Sequence, residues 1–171
     1  MRILGGALAG RALASPNDFR VRPTAEPVRE ALLSALSADL PGARVLDLFA
    51  GTGALGLEAL SRGAARADFV EFRPASLHAL KTNIVALRLK ERTRVFKRDA
   101  VPFAAALAAD SYDIAFADPP YASRVLDRIV ASWRARRFSR ILAVEHARAH
   151  PLPPGGLRRT FDESCITVYR R

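Results

Sequence analysis

The sequence predicts an α/β fold, a mostly parallel sheet with helices on both faces. Two observations carry that expectation. From Ala43 onward, short apolar runs alternate with stretches of helical periodicity, and strand–helix alternation closes into a parallel sheet. The chain has 171 residues, half of them apolar, enough for one core and too few for two ordinary domains. A single domain over 1–171 is therefore expected, with 1–23 as an N-terminal arm and 24–171 as the core.

The elements follow in order. Segment 2–22 has short apolar patches cut by glycines and basic residues and reads as a small β-hairpin arm laid against the domain. A helix follows, in which Thr24 is placed to cap, Pro27 falls in the first turn, and Val28, Leu32, Ala35 and Leu36 make an apolar stripe. Strands are expected at 45–49, 68–72, 94–98, 112–117 and 141–145. Between them, a helix over 54–62 ends at Gly63, and Pro74 opens a helix whose Leu77, Leu80, Ile84 and Leu87 share a face. Shorter helices are expected at 101–107 and 123–136. At the end, 157–161 and 165–169 are separated by three residues, too few for a crossover helix, so they form an antiparallel hairpin.

Composition narrows the function classes. The single cysteine, Cys165, excludes an intramolecular disulfide and any multi-thiolate zinc site, and fits a reducing cytoplasm. No run approaches the roughly 18 apolar residues of a membrane span. The opening MRILGGALAGRALASP is too broken by glycine and arginine for an export signal. His146 and His150 lack a further ligand set, so no metal is expected, and His78 should face solvent. The net charge is +10, and all but Lys81, Lys90 and Lys97 of the 27 cations are arginine. Residues 124–171 alone hold 11 arginines against four acids, an asymmetry that suits a polyanion. Arg134, Arg136 and Arg137 cluster there, as a solvated helix end or a phosphate contact.

The first chemical motif is VLDLFAGTGALGLEAL, residues 45–60. Gly51, Gly53 and Gly56 match G-x-G-x-x-G between a strand and a helix, which permits a tight turn and close approach by a nucleoside. Glu71, twenty residues after Gly51, suits a ribose diol. These features alone are equally a dinucleotide fingerprint. Asp47 separates the readings: a carboxylate at the turn repels a pyrophosphate but favours S-adenosylmethionine, which carries an ammonium and a sulfonium. Asp99 closes the third strand and suits an adenine amino group or a helix N-cap. Asp47, Glu71, Asp99 and Asp118 should converge at the carboxyl edge of the sheet.

The second motif, Asp118-Pro119-Pro120-Tyr121, follows the strand YDIAFA. An exocyclic amine on a base is a weak nucleophile because its lone pair is delocalised into the ring. A carboxylate and the Pro119 carbonyl, held by two prolines, can grip its N–H bonds and free that lone pair, while Tyr121 stacks on the base. Asp118 can then take the proton.

With these residues, the chain resembles class I S-adenosylmethionine-dependent methyltransferases that carry an Asp/Asn-Pro-Pro-Tyr/Phe signature. The start MRILGGALAGRAL, the run Arg22-Pro23-Thr24 with Val28-Arg29-Glu30-Ala31-Leu32, and LDLFAGTGALGLEALSRGA are similar to the RsmD-type family. That resemblance covers nearly the whole chain and implies a Rossmann-like fold, seven strands in the order 3-2-1-4-5-7-6 with the seventh antiparallel. It implies S-adenosylmethionine as cofactor and methylation of guanine N2 in small-subunit (16S) ribosomal RNA, free or in an assembly intermediate, by a cytoplasmic monomer. Carried over by position, Asp118, Pro119, Pro120 and Tyr121 are the catalytic turn. Asp47, Phe49, Gly51, Gly53, Glu71, Phe72, Asp99 and Ala100 are the expected cofactor contacts, and Arg2, Arg11, Arg20, Arg22 and Thr24 the RNA-facing set. Two departures stand out: Phe72-Arg73 follows Glu71, and Ser164-Cys165-Ile166-Thr167 lacks a Tyr-Gly before the threonine. The alternatives are methylation of DNA adenine N6 or a protein glutamine amide, and a non-catalytic RNA- or nucleotide-binding module.

Overall fold

The computed structural model describes residues 1–16, 24–120 and 124–171. Its seven-stranded sheet runs β3-β2-β1-β4-β5-β7-β6, the order the resemblance implies. The strands are β1 (Arg44–Leu48), β2 (Arg66–Glu71), β3 (Thr93–Lys97), β4 (Tyr112–Ala117), β5 (Ser139–Ala147), β6 (Leu157–Thr160) and β7 (Ser164–Arg170). The first five pair in parallel, and β7 runs antiparallel between β5 and β6. The helices are α1 (Glu26–Ala35), α2 (Ala54–Ser61), α3 (Pro74–Ala86), α4 (Ala100–Ala105) and α5 (Val125–Arg136).

Strand alternation sorts the side chains into two cores. Val45, Ile114, Phe116, Ile141 and Ala143 pack on one face with Leu32, Leu57 and Leu80 from α1, α2 and α3. Leu46, Leu48, Ala115, Ala117, Leu142 and Val144 pack on the other with Val101 and Ile129 from α4 and α5. Each fully buried leucine contributes about 1.5–3 kcal/mol. By the same alternation Asp47, Asp118 and Glu145 fall on the α1–α3 face, at the carboxyl ends of β1, β4 and β5.

Two local expectations are corrected. Thr24 is not a cap: Ala25 holds the N-cap of α1 without a side-chain bond, because the Thr24 hydroxyl is engaged elsewhere. Ala35 is exposed and the buried stripe shifts to Val28, Ala31, Leu32, Leu33 and Leu36. Among the described residues of the N-terminal arm, one antiparallel bridge, Arg2↔Ala12, encloses a 3₁₀ turn at Gly6–Leu8.

The arm is fastened by buried polar side chains. Glu58 on α2 accepts the Leu4 amide at 2.9 Å and the Gly5 amide at 2.7 Å. Arg29 on α1, fully buried, donates to the Arg2 carbonyl at 2.6 Å and lies 3.7 Å from Glu58. Asn83 on α3 accepts the Ala14 amide at 2.7 Å and donates to the Ala14 and Thr52 carbonyls at 3.0 Å each.

The glycine turn is equally constrained. Gly53 adopts φ +81 at the start of α2, a region costly for any other residue. A Cβ on Gly56 would collide with the Phe69 ring and stand 3.2 Å from Asp47 Oδ2. Gly56→Ala should therefore destabilise the fold by about 1–3 kcal/mol through overpacking. A thermal melt checks this.

Candidate active site

Where β1, β4 and β5 end, a cavity of about 860 Å³ opens, within the range of small-molecule sites. Asp47, Phe49, Gly51 and Thr52 of the glycine turn form one wall, and Asp118, Pro119, Pro120 and Glu145 another. The arm closes a third side with Met1, Ser15 and Pro16, beside Thr24, Pro27 and Val28. Residues 160–164, the turn between β6 and β7, complete it.

Asp47 is buried and accepts the Gly56 amide at 2.9 Å. Burial pushes its carboxyl well above the usual range, the Gly56 amide opposes this, and the charges of Asp118 and Glu71 add to it. Asp47 thus braces the glycine turn and lines the cavity.

Glu71 ends β2 beside the glycine turn. Its carboxylate accepts the Gly51 amide at 3.0 Å and the Phe72 and Arg73 amides at 2.9 Å each, tying β2 to the glycine turn. Asp99 caps α4 by accepting the Val101 amide at 2.9 Å. Glu71, Phe72, Asp99 and Ala100 lie at the same carboxyl edge, outside the cavity wall. Phe72 is 54% exposed there.

Asp118 follows β4 at the cavity floor. The Thr24 hydroxyl donates to its Oδ2 at 2.6 Å. Burial and then the charge of Glu145 push its carboxyl up to about 7, against the lowering effect of the Thr24 bond. Glu145 was absent from the expected site residues although it too is an acid at the end of an expected strand, 141–145; β5 itself runs on to Ala147. The register Ala117↔Val144 sets Asp118 and Glu145 at the next step across β4 and β5.

The remaining expected positions are scattered. Arg2 is largely exposed with Glu26 at 3.8 Å, and Arg11 donates to the Ala86 carbonyl at 2.7 Å. Neither lines the cavity. Arg20, Arg22 and Tyr121 lie outside the described residues. His78 is exposed, and Arg136 and Arg137 are exposed at the end of α5. His146 is buried, bonded to Thr167 Oγ1 at 2.9 Å, and burial lowers its pKa. Among the described residues no cluster of His, Cys, Asp and Glu suits a metal, and no helix is long and apolar enough to cross a membrane.

The family model described as "Conserved hypothetical protein 95" matches residues 1–156. The chain belongs to this family, the RsmD type. Its relatives include the Bacillus subtilis protein YlbH, described as an rRNA methyltransferase, 30% identical over 100% of this chain and 99% of the relative. The Escherichia coli ribosomal RNA small subunit methyltransferase D is 39% identical over 76% of this chain and 65% of its own length. Among solved structures, the Escherichia coli methyltransferase yhhF superposes with a TM-score of 0.87 at 32% identity, covering 100% of this chain and 97% of that one. The fold match embraces the arm, the sheet and the terminal hairpin that together wall the cavity.

Proposed function

We propose that this protein transfers a methyl group from S-adenosylmethionine to the exocyclic N2 of a guanine in small-subunit ribosomal RNA. One observation carries the reading: a single cavity joins the Asp47-bearing glycine turn to Asp118-Pro119-Pro120. S-adenosylmethionine supplies an electrophilic methyl group. Its cationic groups would favour the ionised form of the buried Asp47 carboxyl, whereas a pyrophosphate would disfavour it. Gly51, Gly53 and Phe49 stand beside it, with Glu71, Phe72, Asp99 and Ala100 extending the edge towards the nucleoside end.

The target amine is gripped by the Asp118 carboxylate and the Pro119 carbonyl, which frees its lone pair from the ring. Asp118 accepts the proton once nitrogen becomes cationic. Thr24, expected to face RNA, also holds Asp118: its hydroxyl fixes one carboxylate oxygen and leaves the other for the amine. Tyr121 takes the stacking role by its place in the motif. Arg2, Arg11, Arg20 and Arg22 supply cations around the arm, and a base presented to this cavity must be unpaired or flipped.

The test uses purified protein, labelled S-adenosylmethionine, and either 16S RNA or small ribosomal subunits, with digestion to nucleosides. Label in N2-methylguanosine is expected. Label in no nucleoside, or in a nucleoside other than N2-methylguanosine, contradicts the assignment. With a charge of +10, binding to RNA should weaken steeply between about 50 and 200 mM salt. Salt-independent turnover would count against an extended phosphate interface.

A further inference from the structure

Asp118, just after β4, and Glu145, within the carboxyl half of β5, lie on adjacent parallel strands, on the same sheet face and one step past the pair Ala117↔Val144. Adjacent strands lie about 4.8 Å apart, so two carboxylates share one pocket of the same cavity. Glu145 is 4% exposed. Two acids buried side by side raise the proton affinity of one of them, an arrangement that clusters at sites which move protons.

We propose that Glu145 is a positioning residue for the transfer reaction: its charge, held beside Asp118, makes Asp118 the proton acceptor for the methylated amine. This inference rests on the methyltransferase reading for its purpose. As nitrogen bonds the methyl carbon, the carbon–sulfur pair stays on sulfur, and the cationic nitrogen passes one proton to Asp118. An ordinary aspartate is a weak acceptor for that proton near neutral pH. A neighbouring negative charge raises its affinity for it.

Other groups face Asp118 as well. Asp47 stands on β1, Thr24 donates from before α1, Arg73 lines the cavity before α3, and Asp162 and Glu163 line it from the β6–β7 turn. Among the described residues, burial and the charge of Glu145 raise the proton affinity of Asp118, and the Thr24 bond opposes them. Turnover should therefore rise with pH through an acid limb near 7, because Asp118 must be ionised to act.

The experiment compares wild type, Glu145→Gln and Glu145→Asp. Two readouts are taken: the pH–rate profile, and the titration of the Asp118 carboxyl by ¹³C NMR in the folded protein without RNA. Glu145→Gln should move the acid limb and the Asp118 titration down together by about one unit or more. Glu145→Asp should leave both close to wild type. If Glu145→Gln does not fold, Glu145→Met removes the charge at similar volume. Asp118 titrating at the same pH with and without the Glu145 charge overturns the proposal. So does a loss of rate with an unmoved acid limb, which is the mark of a purely structural role. The NMR titration needs no methyl acceptor, so failure of the methyltransferase reading shows separately, as absent transfer in the wild type.

Discussion

Asp118→Ala should lower methyl transfer by about 10³-fold or more, the upper range for removal of a positioned proton acceptor that also orients its substrate. S-adenosylmethionine affinity should stay within a few-fold, because Asp47 and the glycine turn remain. Calorimetry with the cofactor and a single-turnover assay separate the two effects. Loss of cofactor binding would remove Asp118 from its assigned role. Asp118→Asn sharpens the case, since its carbonyl still accepts the Thr24 hydroxyl while the acid is gone. It should fall short of wild type yet keep more activity than the alanine variant, because an amide carbonyl still grips one N–H bond, as the Asp/Asn alternation of the signature implies.

The same substitution has a stability signature. A carboxyl raised to about 7 in the folded state binds its proton more tightly there than in the unfolded chain. Its ionisation therefore costs stability as pH climbs from about 4 through 7. Asp118→Asn should be more stable than wild type at pH 8, with the gain shrinking towards pH 4. Cavity water screens the charge, so the gain at pH 8 is about 1–2 kcal/mol rather than the full value of the shift. Paired melts at pH 5 and pH 8 measure it.

Glu58→Ala should have the largest effect on stability, about 3–5 kcal/mol. Its side chain is fully buried and serves the Leu4 and Gly5 amides, Arg62 at 3.0 Å and Arg29 at 3.7 Å. Alanine leaves two amides without that acceptor and the buried Arg29 charge without its carboxylate. For a chain of this size the melting temperature should drop by roughly 10 °C. The arm should also lose hydrogen-exchange protection at Leu4 and Gly5. An arm that stays protected would show that the Arg2↔Ala12 bridge and Asn83 suffice to hold it.

The sheet was legible because its strands are apolar runs separated by helical periodicity, and strand 112–117 matches β4 at both ends. Boundaries elsewhere moved by a residue or two, and β5 lengthened to nine residues because β7 pairs along its whole carboxyl half. The glycine turn, Asp47 and Asp118 were legible because their spacing from strand ends fixes their place at the sheet edge. Three parts of the site were not. Thr24 read as a helix cap because threonine before a proline-bearing first turn usually is one, and only tertiary packing brings it to Asp118, 94 residues away. Glu145 shares the strand-end signal but was weighed only as part of a strand. The 160–164 turn enters the cavity through the antiparallel return of β7, which no local pattern encodes. Glu58 and Asn83 lie in helices read only for their apolar stripes, so their grip on the arm was hidden too.

The most direct test of the assigned reaction is nucleoside mass spectrometry of small-subunit ribosomal RNA from cells with and without this protein. Loss of one N2-methylguanine, restored by the wild-type protein and not by Asp118→Ala, is the predicted result. An unchanged nucleoside profile would contradict it.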